Sequence, residues 1–337
     1  MMKNTLFLFV LFLISQLINS QEKTTDFTIS FGSCNKQYVQ NILWKEITKS
    51  KPDLFIWGGD IIYADTNNMD ALQKSYNKQW HQKGYKEFAA STKILATWDD
   101  HDYGVNDAGT EYKMKKESQQ LFLDFLKVPK NDIRRKQEGI YHSQIFTTAK
   151  GTIKVLILDT RYFRTALTKS TTKRRRYQAN KYLEGTILGK QQWKWLQEEL
   201  NSSTADFNII VSSIQLLSYK HGWETWGNFP HEVDKFVKLI KTSKAKGVLV
   251  LSGDRHISEF SMLPVSGLPY PLIDFTSSGL THAYNRFSGE YNPFRLGNVV
   301  HEISFGLLQF NFDEHKITMQ MRGKDNTLQQ EYIQIYN

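Results

Sequence analysis

Residues 54–65 read LFIWGGDIIYAD: an apolar run from Leu54 to Trp57 stops at Gly58 and Gly59, and Asp60 follows at once. The same grammar recurs along the chain. Phe27 to Phe31 leads to Gly32-Ser33-Cys34-Asn35, Ile94 to Trp98 to Asp99-Asp100-His101-Asp102, and Ile153 to Leu158 to Asp159-Thr160-Arg161. Phe207 to Val211 leads to Ser212-Ser213-Ile214-Gln215, and Val248 to Leu251 to Ser252-Gly253-Asp254-Arg255-His256. Runs that are continuously apolar rather than alternating are strands covered on both faces.

Between these runs lie helical patterns: Val39 to Lys49, Gln191 to Leu200 with Trp193, Leu196 and Leu200 three and four apart, and a stretch through Val233, Phe236, Val237 and Ile240. Alternating strand and helix predicts an α/β sheet, in which ligands gather beyond the C-terminal ends of the strands. Beyond Asp274 the pattern becomes strand after strand, around Leu307 to Phe312, Ile317 to Met321 and Tyr332 to Ile335, which predicts an antiparallel closure. With no linker-like stretch and no repeat, residues 21–337 read as one domain.

Residues 1–20 read as a secretory signal peptide. Lys3 precedes an apolar run from Leu6 to Ile18, which is shorter than a spanning helix needs, and Ser20 stands at the expected cleavage point. The mature chain is therefore expected outside the cytoplasm, secreted or periplasmic, with no membrane span. A hydrophobic content of 40% excludes disorder, and the single cysteine, Cys34, excludes an internal disulfide. The net charge of +9 is fed partly by a basic run from Lys169 to Lys181, read as either a solvated loop or an anion-guiding rim. No zinc-finger spacing, basic zipper or aromatic RNA-binding signature is present, so no stable nucleic-acid complex is expected.

Three polar clusters carry chemistry. In Asp60-Ile-Ile-Tyr63 a carboxylate suited to bridging two cations precedes a phenol, whose anion is a hard donor suited to ferric iron. In Asp99-Asp100-His101-Asp102 three carboxylates surround one histidine and repel one another unless cations compensate them. In Asp254-Arg255-His256 the acid and the imidazole are two apart, so in an extended segment both face one cluster. Cys34 then reads as a thiolate ligand.

The order of FGSCN, WGGDIIYAD, ATWDDHDYGVND, LDTRYFR, LGKQQWKWLQEEL and LSGDRHISE resembles the alkaline phosphatase D-like (PhoD-like) family of calcineurin-type metallophosphoesterases, over about Phe27 to His282. The resemblance implies a four-layer α/β/β/α sandwich with the site at the C-terminal ends of the strands. It implies Fe³⁺ bound by Cys34, Asp60, Tyr63 and His256, and Ca²⁺ or another divalent cation bound by Asp60, Asp100 and Asp254, with Gln215 filling a remaining ligand place. Function follows as hydrolysis of phosphate monoesters or diesters, by attack of metal-bound hydroxide at phosphorus while His101 assists the leaving group. Arg161 and Arg255 are expected to grip phosphate oxygens, unless Asp159 and Arg161 form a buried pair.

Two departures stand out. Asp102 follows His101 where the family commonly has Glu, which alters the surroundings of the ligands rather than the ligands themselves. The short stretch between Ser20 and Cys34 holds no extra N-terminal domain, and no C-terminal helix over the site is evident, so a more open site for large or polymer-linked phosphoesters is expected. Two other classes compete: a cysteine hydrolase using Cys34, which leaves the acidic clusters without a purpose, and a non-catalytic exported binder of metals or anionic polymers.

Overall fold

The computed structural model describes residues 25–173 and 175–336; the expected signal segment and Arg174 of the basic run lie outside the described residues. Two sheets form the frame. In the first, β1 (Phe27–Gly32), β2 (Leu54–Gly58) and β3 (Lys93–Thr97) run parallel, and β13 (Phe305–Asn311), β14 (Lys316–Arg322) and β15 (Leu328–Ile335) extend it antiparallel beyond β1. In the second, β5 (Thr152–Ile157), β8 (Phe207–Val211), β9 (Val248–Ser252) and β11 (Leu272–Ser277) form a parallel centre. Antiparallel β4 (His142–Thr147) closes one edge, and β10 (Ser258–Leu263) with β12 (Arg295–Val300) closes the other. A ribbon of β6 (Thr168–Lys169) and β7 (Tyr177–Gln178) stands apart from both.

The quoted stretch shows why its strand is continuously apolar. Leu54 and Ile56 point into the core between the sheets, while Phe55 and Trp57 point into a second core beneath helices Trp44–Lys49, Met69–Trp80, Tyr85–Ser91 and Lys115–Phe125. The sheets meet through pairs such as Phe31 with Phe275 and Phe207 with Phe310, at ring separations of 4.8 and 5.3 Å. Helices Gly189–Asn201 and Pro230–Thr242 cover the second sheet with Trp193, Leu196, Phe236 and Ile240. The layers are helix, sheet, sheet, helix, as the family resemblance implies. Among the described residues no helix is long and apolar enough to cross a membrane.

The helix expected over Val39 to Lys49 begins only at Trp44. Ahead of it the Asn41 side chain accepts from the Leu43 N–H, and the Gln82 amide donates to the carbonyls of Gln37 and Val39. Distant side chains thus satisfy backbone groups that a helix would have paired. The helix Met69–Trp80, which has no strong apolar period, starts where the Asn68 carboxamide accepts from the N–H groups of Asp70 and Ala71.

At the C-terminal ends of the parallel strands the sheets are stitched to each other. The Thr97 hydroxyl donates to the Leu158 carbonyl at 2.7 Å, and the Ser33 hydroxyl to the Ser277 carbonyl at 3.2 Å. Gly59, with φ +98°, lies where a Cβ would come within 2.6 Å of Asp99 Cβ and 3.2 Å of Ser213 Cβ. Gly59→Ala combines a left-handed backbone penalty with overpacking and is expected to lower stability by roughly 2–4 kcal/mol. Chemical denaturation reads this, and an unchanged midpoint would contradict the close approach of these loops.

Candidate metal centre

The loops after β1, β2, β3 and β9 bring Cys34, Asp60, Tyr63, Asp100, His101, Asp254 and His256 into one cluster. One ligand atom each from Cys34, Asp60 and His256 lie within 4.8 Å of one another, as do those of Asp60, Asp100 and His101, and those of Asp99, Asp100 and Asp254. Asp60 therefore belongs to two neighbouring groups, and Asp100 joins the second to the third. The Tyr63 hydroxyl stands 3.2 Å from Asp60 Oδ2 and 2.9 Å from His256 Nε2. Cys34 Sγ is 3.4 Å from the same Asp60 oxygen.

Cys34, Asp60, Asp254 and His256 all adopt positive φ, from 51° to 67°. Left-handed backbone at a non-glycine residue costs on the order of 1–2 kcal/mol and persists where the surroundings enforce it. Asp254 and His256 consequently reach the cluster from a tight turn after β9, not from the extended segment their spacing predicts. Side chains from other loops hold these turns. The Ser278 hydroxyl accepts from the His256 N–H and donates to Cys34 Sγ at 3.0 Å. The Gln37 carboxamide pairs with both the N–H and the carbonyl of Tyr63. Asp102 completes a capping box with Asp99 on the short helix Asp100–Tyr103 and also accepts from the Ile61 N–H, tying the Asp100 loop to the Asp60 loop.

The electrostatics are those of ligands held ready for cations. Burial, reinforced by the Asp254 charge, pushes the Cys34 thiol up to about 11. Burial and the nearby Cys34 raise Asp60, and burial with the Asp60 charge raises Tyr63. Burial carries Asp254 to about 7. Burial, followed by the Arg255 charge, lowers His256 to about 4, leaving a neutral imidazole able to coordinate. Asp60 Oδ1 is buried with no hydrogen-bond partner. A thiol, a carboxylate, a phenol and an imidazole facing one another, with an orphaned carboxylate oxygen among them, fit a bound cation that removes the mutual repulsion of their ionised forms.

His101 differs. Burial disfavours its charge, but Asp60, Asp100 and Asp65 overcome this and raise it to about 11. Its Nδ1 lies 2.8 Å from both oxygens of Asp65, a residue to which the sequence reading gave no role. Asp65 stands within the quoted stretch, yet 36 positions from its partner, where no local period connects them.

Two sequence expectations fall elsewhere. Arg161 does not face substrate: its side chain is 0% exposed, its Nε donates to Asp99 and its Nη1 donates to Glu224 at 2.6 Å. It is a positioning residue, and its charge overcomes burial to hold Asp100 below its ordinary range. Nor does Asp159 pair with the Arg161 guanidinium; it accepts from the backbone N–H groups of Arg161 and Tyr162 and from the Trp98 indole. Gln215 donates from its amide nitrogen to Glu259 and Thr276, and its Oε1 is buried without a hydrogen-bond partner among the described residues. Arg255, by contrast, lines the cavity over Asp100, His101, Asp254 and His256, with its Nη2 paired to Glu290. From the basic run, Arg176 lines the same cavity and pairs with Asp107, whose N–H donates to Asp100.

The fold has known counterparts. The chain aligns with the structure of PhoD at a TM-score of 0.74 and 19% identity, covering 93% of this chain and 69% of that one. It also aligns with a dimetal phosphatase from Danio rerio at 0.55 and 13% identity, covering 93% of this chain and 100% of that one. GAP50, the anchor in the inner membrane complex of Plasmodium, aligns at 0.59 and 12% identity over 93% of this chain and 90% of that one, so the architecture alone does not fix an activity. In sequence, alkaline phosphatase D of Bacillus subtilis (strain 168) is 24% identical in an alignment 285 residues long that covers 71% of this chain and 47% of that protein. The chain thus spans about half the length of the curated relative it matches. Residues 29–283 match the PhoD-like phosphatase family, and with that match covering most of its length the chain belongs to this family.

Proposed function

We propose that this protein is a metal-dependent phosphoesterase that hydrolyses phosphate monoesters or diesters. Cys34, Asp60, Tyr63 and His256 hold Fe³⁺, and Asp60, Asp100 and Asp254 hold Ca²⁺ or another divalent cation. The observation that carries the reading is the sharing of Asp60 between a group with Cys34 and His256, which the Tyr63 hydroxyl joins, and a group with Asp100 and His101, from which Asp100 leads on to the carboxylates of Asp99 and Asp254. Bound there, the cations supply Lewis acidity toward phosphate oxygens and toward water.

The chain's own residues supply the remainder. His101, oriented through Nδ1 by Asp65, delivers a proton from Nε2 to the departing alcohol oxygen. Arg255, braced by Glu290, offers donors to a phosphate oxygen in the cavity. Arg161 and Asp99 keep the Asp100 turn in place without touching substrate. The pattern of residues 1–20 supports export of the enzyme from the cytoplasm.

The purified protein is expected to contain iron and to absorb in the visible through a phenolate-to-iron band, which Tyr63→Phe abolishes while iron is still detected by elemental analysis. Asp60→Asn should lose both metals and nearly all turnover. Full activity after exhaustive chelation would refute the proposal. His101→Gln is expected to lower kcat by roughly 10²–10⁴ on an alkyl phosphate, and much less on p-nitrophenyl phosphate, whose leaving group needs no proton. Asp65→Asn should follow the same order with smaller losses. Equal losses on both esters would remove the proton-donor role.

A further inference from the structure

The cavity over the metal centre, about 320 Å³, has a polar floor of Asp100, His101, Asp254 and His256 and a mouth that contains Trp223 and Tyr284. These two rings are 43% and 46% exposed. Singly exposed aromatics are ordinary on a protein surface, but two at one mouth, both anchored to the site, call for a reason. The Tyr284 N–H donates to the carbonyl of His256, so the position of this ring is tied to a proposed iron ligand.

Trp223 is held from two sides. Its N–H donates to His221 Nδ1, and the carbonyl of the preceding Gly222 accepts from the N–H groups of Arg176 and Tyr177. Those two residues reach Asp107 with their side chains, and Asp107 donates its N–H to Asp100. The Arg255 guanidinium stands 5.7 Å from the Trp223 ring centroid, immobilised by Glu290. The loop carrying Trp223 and the loop carrying Asp100 are thereby one rigid assembly. Apolar ring surface is kept at a fixed place beside a site whose floor binds phosphate.

We infer that Trp223 and Tyr284 form a subsite for the alcohol portion of the substrate, and that the alcohol carries a ring, sugar or aryl, next to the scissile phosphate. The inference rests on the phosphoesterase reading. With phosphate on the floor, the ester oxygen points to the mouth, and a ring presented there covers the two exposed faces. A flexible open-chain alcohol such as glycerol gains little from them. Stacking of this kind raises affinity roughly five- to 150-fold per ring.

The test compares kcat/KM on p-nitrophenyl phosphate, a hexose phosphate and glycerol 3-phosphate, each variant against the wild type on the same ester so that leaving-group chemistry cancels. For Trp223→Ala the ratio of ring ester to glycerol ester should fall about tenfold, chiefly through KM. Trp223→Phe should restore most of it, and Tyr284→Ala should fall in the same direction. Tyr291→Ala, which removes an exposed ring that does not line the cavity, should keep the wild-type ratio. Loss on either ring ester relative to glycerol supports the subsite and names its ring. A proportional loss on all three esters, no change on any, or an equal shift from Tyr291→Ala overturns it. If the metal-loaded wild type turns over none of the three and no diester such as bis(p-nitrophenyl) phosphate, the phosphoesterase reading falls and the subsite with it.

Discussion

Cys34, Asp60, Asp99 and Asp100 are withdrawn from water at the place where the two sheets meet, with partly buried Asp254 beside them. Ionised together in a protein interior, such groups repel one another and lose their hydration, and either effect alone is enough to disfavour the charged forms. The thiol, the nearby Tyr63 phenol and three of the carboxylates, Asp60, Asp99 and Asp254, are accordingly pushed toward their protonated states. Much of the surrounding structure serves this one constraint. Ser278 donates to the sulfur, Arg161 compensates Asp99 and Asp100, and the loops are locked by Asp102, Gln37 and Asn35. What these protein groups leave uncompensated is the charge that bound cations neutralise.

Holding the ligands in place has a conformational cost as well. Four of the cluster residues sit in left-handed backbone, where glycine would be easier, because only these side chains supply the donors. The strain is sustained by the rigidity beneath it. β1, β2, β8 and β9 are buried along their whole length, and the cross-sheet bonds from Thr97 and Ser33 fix one set of strand ends against the other. A cluster built on rigid strand ends loses little entropy when it binds a cation, which is the advantage of preorganisation.

The same rigidity extends outward to the mouth. Asp107 connects the Asp100 loop to the basic ribbon through Arg176 and Tyr177, and the ribbon connects to the Trp223 loop through Gly222. The basic run read from the sequence is thus divided in role: Arg176 lines the cavity, whereas Lys169, Lys173 and Arg175 do not.

The sequence by itself determined the strands, the placing of polar clusters at their ends, and the chemical identity of the candidate donors Cys34, Asp60, Tyr63, Asp100, Asp254 and His256. Those features are local: a continuous apolar run and an abrupt polar ending are visible within ten or so residues. It also yielded the family, because six such local motifs occur in one order. The tertiary structure decided everything that depends on which strand end faces which. Asp65 and His101, Arg161 and Asp99, and Ser278 and Cys34 meet across long stretches of chain or across the gap between the sheets. Arg161 looks like a site residue in the sequence because it follows a strand that does reach the site. Burial turned it instead into an ion pair with Asp99 and Glu224. No periodicity in one chain records how two sheets are stacked, and that stacking is what separates a ligand from a residue that holds a ligand in place.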